Sequence, residues 1–214
     1  MASFRDRSDA GRRLVGPTEA VLPAGRPVTV VGLPRGGVLV GAALVEGLRA
    51  LGRTARLDLV VVTKVLTPEF PELALGAVTE HAAVRSAVAG RLAEVDDARY
   101  AALTADARRR LAERAAALPE PGPPPDGAVL LVDDGLATGS TVEAAVAELR
   151  TGQPDWLGLA VPVADATAWQ RVRPLVDGGV VLLQRTPMRA VSVDYADFTQ
   201  LRDDVVRAAL ARWA

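Results

Sequence analysis

Val129-Leu-Leu-Val-Asp-Asp-Gly-Leu-Ala-Thr-Gly-Ser-Thr141 carries the strongest local signal in the chain. Ala128 to Val132 are small or branched apolar residues flanked by turn formers, the pattern of a strand buried on both faces. The pair Asp134-Gly135 ends that strand. Gly139 has no Cβ, so the backbone there can come close to a ligand. Ser140 and Thr141 are expected to cap a helix running from Val142 to Arg150. Two carboxylates, Asp133 and Asp134, therefore stand beside an amide-rich turn at a helix N-terminus, a place that attracts anions. Carboxylates hold sugar hydroxyls and amides hold phosphate, so a phosphorylated sugar is the natural ligand. Side chains alternate across a strand, so the two acids need not do the same job.

Outward from this junction, strands and helices alternate. Helices are expected at Asp9 to Leu22, Val38 to Leu51, Val95 to Leu118, Asp165 to Val176 and Thr199 to Trp213. Strands are expected at Val28 to Leu33, Leu57 to Thr63, Trp156 to Val163 and Gly179 to Gln184, besides Ala128 to Val132. Thr67 to Ala89 is punctuated by Pro68, Pro71 and Gly76, which suits either short strands or a moving loop. Pro119 to Gly127 reads as a stiff connector. The alternation implies an α/β fold with a mostly parallel sheet covered on both faces. Ligands of such sheets sit at the carboxyl ends of the strands, where the loops after Leu33, Thr63, Asp133 and Val163 meet.

Two further stretches fall on that edge. Val31-Gly-Leu-Pro-Arg-Gly-Gly37 leads from strand to helix; its glycines free the backbone, and Arg35 offers a forked cation to phosphate. It lacks the Gly-Lys-Ser/Thr of a P-loop and the spacing of a dinucleotide fingerprint. Lys64, after Leu59-Val-Val-Val-Thr63, would add an ammonium.

The remaining composition narrows the class. The 214 residues are half hydrophobic, with a net charge of −1 and no cysteine. The near-neutral charge argues against bulk binding to nucleic acid or anionic membranes, and thiolate chemistry is excluded. The first residues are charged and lack a signal-peptide core, and no apolar run reaches spanning length, so a cytoplasmic protein is the expectation. The basic run Arg108, Arg109, Arg110 and Arg114 reads as a solvated helix face, Glu72 and Glu80 as solvated carboxylates, and the lone His81 as surface.

Leu130, Leu131, Val132, Asp133, Asp134, Thr138, Gly139 and Thr141 resemble the phosphoribosyl-diphosphate (PRPP) signature of type I phosphoribosyltransferases. The Pro34-Arg35-Gly36-Gly37 loop resembles that family's pyrophosphate loop, with Pro34 where some members have Ser, and comes in the family's order. Pro71-Glu-Leu-Ala-Leu-Gly-Ala77 and Tyr195-Ala-Asp-Phe-Thr-Gln200 resemble stretches of bacterial members, so the likeness covers nearly the whole chain except Val95 to Gly127. The resemblance implies a Rossmann-like single domain over 1–214, with a core at about 25–185 and a hood from about 1–24 and 185–214. It implies that Asp133 and Asp134 meet the ribose hydroxyls. Ala137, Thr138, Gly139, Ser140 and Thr141 would wrap the 5-phosphate, and Arg35, Gly36, Gly37 and Lys64 would support the diphosphate. A non-proline cis bond near Pro34–Arg35 or Arg35–Gly36 is frequent in such loops, and a lid over the site would fall in the middle region.

The implied reaction moves phosphoribosyl from PRPP to a nitrogenous base or another small nucleophile. Mg²⁺ would be bound mainly through the ligand's own oxygens, and Asp134 would take a proton from the acceptor. The acceptor itself is not specified; Arg185-Thr-Pro-Met-Arg189 is a candidate wall, with Met188 against a flat ring. Dimers are common in that family. Two alternatives stay open. One is a non-catalytic or regulatory PRPP- or nucleotide-binding protein on the same fold. The other is a receiver-type acidic pocket with Asp177 as phosphoacceptor, although a receiver starting near Val129 has no room for its last elements and no use for Thr-Gly-Ser-Thr.

Overall fold

The computed structural model describes residues 2–69, 74–86, 94–122 and 127–214. Helix α1 (Arg7–Glu19) leads into β1 (Val28–Gly32), α2 (Gly36–Ala50) and β2 (Ala55–Leu59). A ribbon of β3 (Thr63–Leu66), β4 (Ala74–Val78) and β5 (Ala83–Arg85) precedes the long helix α3 (Asp97–Ala116). Then come β6 (Ala128–Val132), α4 (Ser140–Thr151), β7 (Trp156–Asp165), α5 (Ala166–Val172), β8 (Gly178–Arg185) and α6 (Asp203–Trp213). The main sheet runs β2-β1-β6-β7-β8, every pairing parallel, while β3-β4-β5 form a separate antiparallel sheet.

The continuous apolar run of β6 is explained by burial on both faces. Ala128, Leu130 and Val132 join one core with Leu14 of α1, Leu44 and Leu48 of α2 and Leu210 of α6. Val129 and Leu131 join the other with Val142 and Val146 of α4 and Val172 of α5. Each such Leu or Val contributes roughly 1.5–3 kcal/mol of burial. This is the mostly parallel α/β sheet that the sequence implies.

The strand expected from Leu57 to Thr63 and the cap expected for α4 differ from the sequence reading. The run expected as one strand from Leu57 to Thr63 is divided. Pairing of β2 with β1 stops at Leu59 opposite Gly32, where β1 ends, and the chain passes through buried Val60, Val61 and Val62 into the ribbon. Lys64 thus sits in β3 rather than after a strand of the main sheet. The described part of Thr67 to Ala89 forms short strands. The expected hydroxyl cap of α4 is replaced by Gly139, whose φ of 81° is left-handed; no side chain caps the helix, and Ser140 and Thr141 lie in its first turn. Among the described residues, no side chain accepts from the first-turn amides there. Glu72 lies outside the described residues.

Candidate active site

Asp133 and Asp134 leave β6 where Val132 is in register with Gly32 of β1 and Ala160 of β7. Leu136 then bonds along β7, its amide to the Val163 carbonyl (2.9 Å) and its carbonyl to the Asp165 amide (2.8 Å). This seats the 137–141 turn at the carboxyl edge of the sheet. The two glycines of the first loop press directly on the acids. A Cβ on Gly36 would overlap the Asp134 carboxylate, and one on Gly37 would overlap the Val132 carbonyl and lie 2.9 Å from the Asp133 Cα. Neither position has room for a Cβ unless its neighbour shifts, so the two stretches singled out in the sequence meet at one corner. The Pro34–Arg35 peptide is cis.

The two acids have different surroundings. Asp134 Oδ2 accepts from Arg7 Nε at 2.7 Å, with side chains 16% and 10% exposed. Arg7 also donates to the Thr199 carbonyl at 3.2 Å and stacks 3.7 Å from the Phe198 ring centre. Tyr195 Oη donates to the Asp134 carbonyl at 2.7 Å. Asp133, half-buried, accepts from the Asp134 amide at 2.9 Å. Burial, then the neighbouring Asp134 charge, lifts the Asp133 pKa well above the usual carboxylate range, against the pull of Arg7 and Lys64. Burial also raises the Asp134 pKa, with Arg7 opposing.

The cations are arranged differently from the sequence expectation. Arg35 turns to the C-terminal segment, Nε to Asp203 Oδ1 at 2.7 Å and Nη1 to the Leu201 carbonyl at 2.8 Å. Lys64 is exposed and lines a cavity of about 370 Å³ with Leu33, Pro34, Thr141, Arg110 and Arg114. Arg114 donates to the Pro34 carbonyl at 2.7 Å. The basic run on α3 is therefore not simply a solvated face: Arg108 also reaches the Thr79 and Glu80 carbonyls. Arg171 of α5 bonds the Thr138 carbonyl and pairs with Glu143 at 2.5 Å, bracing the 137–141 turn.

Sequence reasoning missed Arg7, Arg171, Arg110 and Arg114 as neighbours of the site. Arg7 and Arg171 carried no local signal, since their partners lie 127 and 33 positions away. The Tyr195 to Gln200 motif was the one pointer to the Asp134 surroundings. Glu80 is exposed, as read, and so is His81, which pairs with Glu148 at 2.6 Å. Met188 packs with Phe4, Val163 and Tyr195. Asp177 bonds Arg150 and the Leu157 amide, at the start of β7. That is the opposite edge from Asp133, so the receiver reading fails. A larger cavity of about 660 Å³ lies between α3, α4 and the ribbon; of its acids, Asp58 and Glu148 already have protein partners, and Glu80 is exposed, 4.0 Å from His81.

Adjacent carboxylate oxygens are hard donors of the kind Mg²⁺ prefers. Asp133 and the Asp134 oxygen that Arg7 does not hold suit a cation shared with ligand oxygens. Among the described residues, no group of three or more His, Cys, Asp or Glu could hold a metal without such help. No described helix is long and apolar enough to cross a membrane.

The comparisons agree with this architecture. Residues 23–180 match the model of the phosphoribosyl transferase domain, and the chain belongs to that family. It is 36% identical over 219 aligned positions to "Putative phosphoribosyl transferase Rv0571c" of Mycobacterium tuberculosis H37Rv, covering 99% of this chain and 47% of that protein. The chain thus spans about half the length of the curated relatives it matches. Among solved structures, TT1426 from Thermus thermophilus superposes with a TM-score of 0.75 at 38% identity, over the full length of both chains. A hypoxanthine-guanine phosphoribosyltransferase from Bacillus anthracis reaches a TM-score of 0.50 at 11% identity, over 84% of this chain and 76% of that one, a likeness of fold. The sheet and its helices are thus those of the type I phosphoribosyltransferase fold.

Proposed function

We propose that the chain catalyses transfer of the 5-phosphoribosyl group from PRPP to a nitrogenous base or another small nucleophile, with release of diphosphate. The observation that carries this reading is the contact of the glycine loop with the acid pair beside an uncapped helix start. Asp133 and the Asp134 oxygen that Arg7 does not hold grip the ribose diol. The amides of Ala137 to Thr141 hold the 5-phosphate. The Gly36 and Gly37 backbone and Lys64 face the diphosphate, with Arg35 anchoring their loop. Residues 1–24 and 185–214 act as a hood, because Arg7, Tyr195 and Phe198 close over Asp134.

The ribose C1–O bond breaks and its electron pair leaves with diphosphate. The acceptor lone pair forms the new bond to C1, and its proton passes to a base, for which Asp134 with its raised pKa is suited. Mg²⁺, held mainly through PRPP's own oxygens with Asp133 as a protein donor, would neutralise charge on the diphosphate. The protein's own part is to fix the sugar, exclude water and meet charge with charge. A cytoplasmic setting suits such a substrate.

The test is diphosphate release from PRPP and Mg²⁺ with a panel of nitrogenous acceptors. Release with at least one acceptor is expected, and the Asp133→Asn/Asp134→Asn double variant should lose it while its circular dichroism stays native. PRPP binding with no turnover on any acceptor would point instead to a regulatory binding protein. Full activity of the double variant contradicts the site assignment.

A further inference from the structure

Resting on that reading, we propose that the cations receiving the diphosphate come from helix α3: Arg114 and Arg110, opposite Lys64, contact the leaving group, while Arg35 is a positioning residue. The cavity these three line is bounded by Pro34 of the glycine loop and Thr141 of the first turn of α4, so it adjoins both halves of the site.

Its charge is unbalanced. Arg35 already spends two nitrogens on Asp203 and the Leu201 carbonyl. Asp106 is shared between Arg109 and Arg110. Among the described residues, neither Lys64 nor Arg114 has a carboxylate within ion-pair distance, and the one hydrogen bond of Arg114 goes to a neutral carbonyl. Crowding of its head group by protein, then the like charge of Arg35, depresses the Arg114 pKa, with Asp203 opposing. Gathered positive charge at the wall of a cavity stabilises an anion there. Guanidinium forks match phosphate oxygens in pairs, as an ammonium does not. As the C1–O bond of ribose breaks, the departing oxygen keeps the electron pair, and the charge spreading over the diphosphate meets Arg114, Arg110 and Lys64.

Calorimetric titration with magnesium diphosphate, and separately with ribose 5-phosphate, tests this on the whole chain. Arg114→Gln should weaken magnesium diphosphate about tenfold, the value of one charge-assisted hydrogen bond, and adding Arg110→Gln should weaken it further. Ribose 5-phosphate affinity should stay within about twofold, and the salt dependence of diphosphate binding should become shallower. Arg114→Lys should recover part of the loss, because it keeps the charge without the fork. Unchanged diphosphate affinity in the double variant, with ribose 5-phosphate still bound, overturns the α3 assignment alone. Equal loss of both ligands shows damage to the site's architecture and also overturns it. A wild-type chain that binds neither ligand overturns the phosphoribosyl reading beneath it.

Discussion

Asp133 sits in surroundings that disfavour its charged form. Its folded pKa lies above the ordinary value, first through burial and then through Asp134. Such a group favours the fold below the ordinary carboxylate range, and that contribution is lost as pH rises through the raised value. Asp133→Asn should therefore raise the melting temperature of ligand-free protein at neutral pH, by roughly 2–4 °C for each kcal/mol gained in a domain of this size. The gain should vanish as the pH falls into the ordinary carboxylate range. A lower melting temperature at neutral pH would contradict this. The loop glycines make a second residue-scale case. Gly37→Ala meets the Val132 carbonyl and the Asp133 Cα, which are backbone, whereas Gly36→Ala meets a side-chain carboxylate. Gly37→Ala should cost about 1–3 kcal/mol in urea unfolding and Gly36→Ala less, the latter with weaker sugar binding. The opposite order would show that the loop does not pack on the acids as described. Arg35→Ala and Asp203→Asn should weaken diphosphate binding to a similar degree and non-additively, because they share one contact; additive losses would return Arg35 to the ligand itself.

At the scale of elements, β6 was legible because every one of its residues is buried, so periodicity, turn signals and length agree. The Leu57 to Thr63 run was misjudged for the same reason. Val60 to Val62 are as apolar and nearly as buried as a strand, and the sequence does not show that the neighbour β1 has already ended. Helix α3 was legible as a helix, from its Ala and Arg content, but not as part of a site: Arg114 meets Pro34 across 80 positions. The ribbon is tied to α4 by Glu148, which accepts from Thr79 Oγ1 at 2.6 Å and the His81 amide at 2.9 Å and pairs with His81 Nδ1. Burial works against the Glu148 charge, but these bonds hold its pKa below the usual glutamate value. Its contribution is present above the ordinary glutamate range and is lost as pH falls through the folded value. Glu148→Ala should cost about 1–2 kcal/mol at neutral pH in urea unfolding; an unchanged midpoint would show that the ribbon is held by its apolar contacts alone.

Over the whole molecule, the two ends of the chain meet at the acid pair. Ser3 and Phe4 amides bond the Asp194 carbonyl, Phe4 lies 5.3 Å from Tyr195, and Arg7 reaches Asp134. The sequence showed the central motif and the order of the loops, which are local patterns. It did not show this closure, which depends on side chains brought together only by the finished sheet. A ligand that joins the two halves of the site should raise the melting temperature in proportion to the logarithm of its concentration above saturation. The most direct measurement is a crystal structure of this chain with PRPP and Mg²⁺. The ribose diol is expected on the Asp133–Asp134 pair, the 5-phosphate within the amides of residues 137–141 and the diphosphate against Gly36 and Gly37. PRPP bound elsewhere, or an acid pair still closed to the sugar by Arg7, would contradict it.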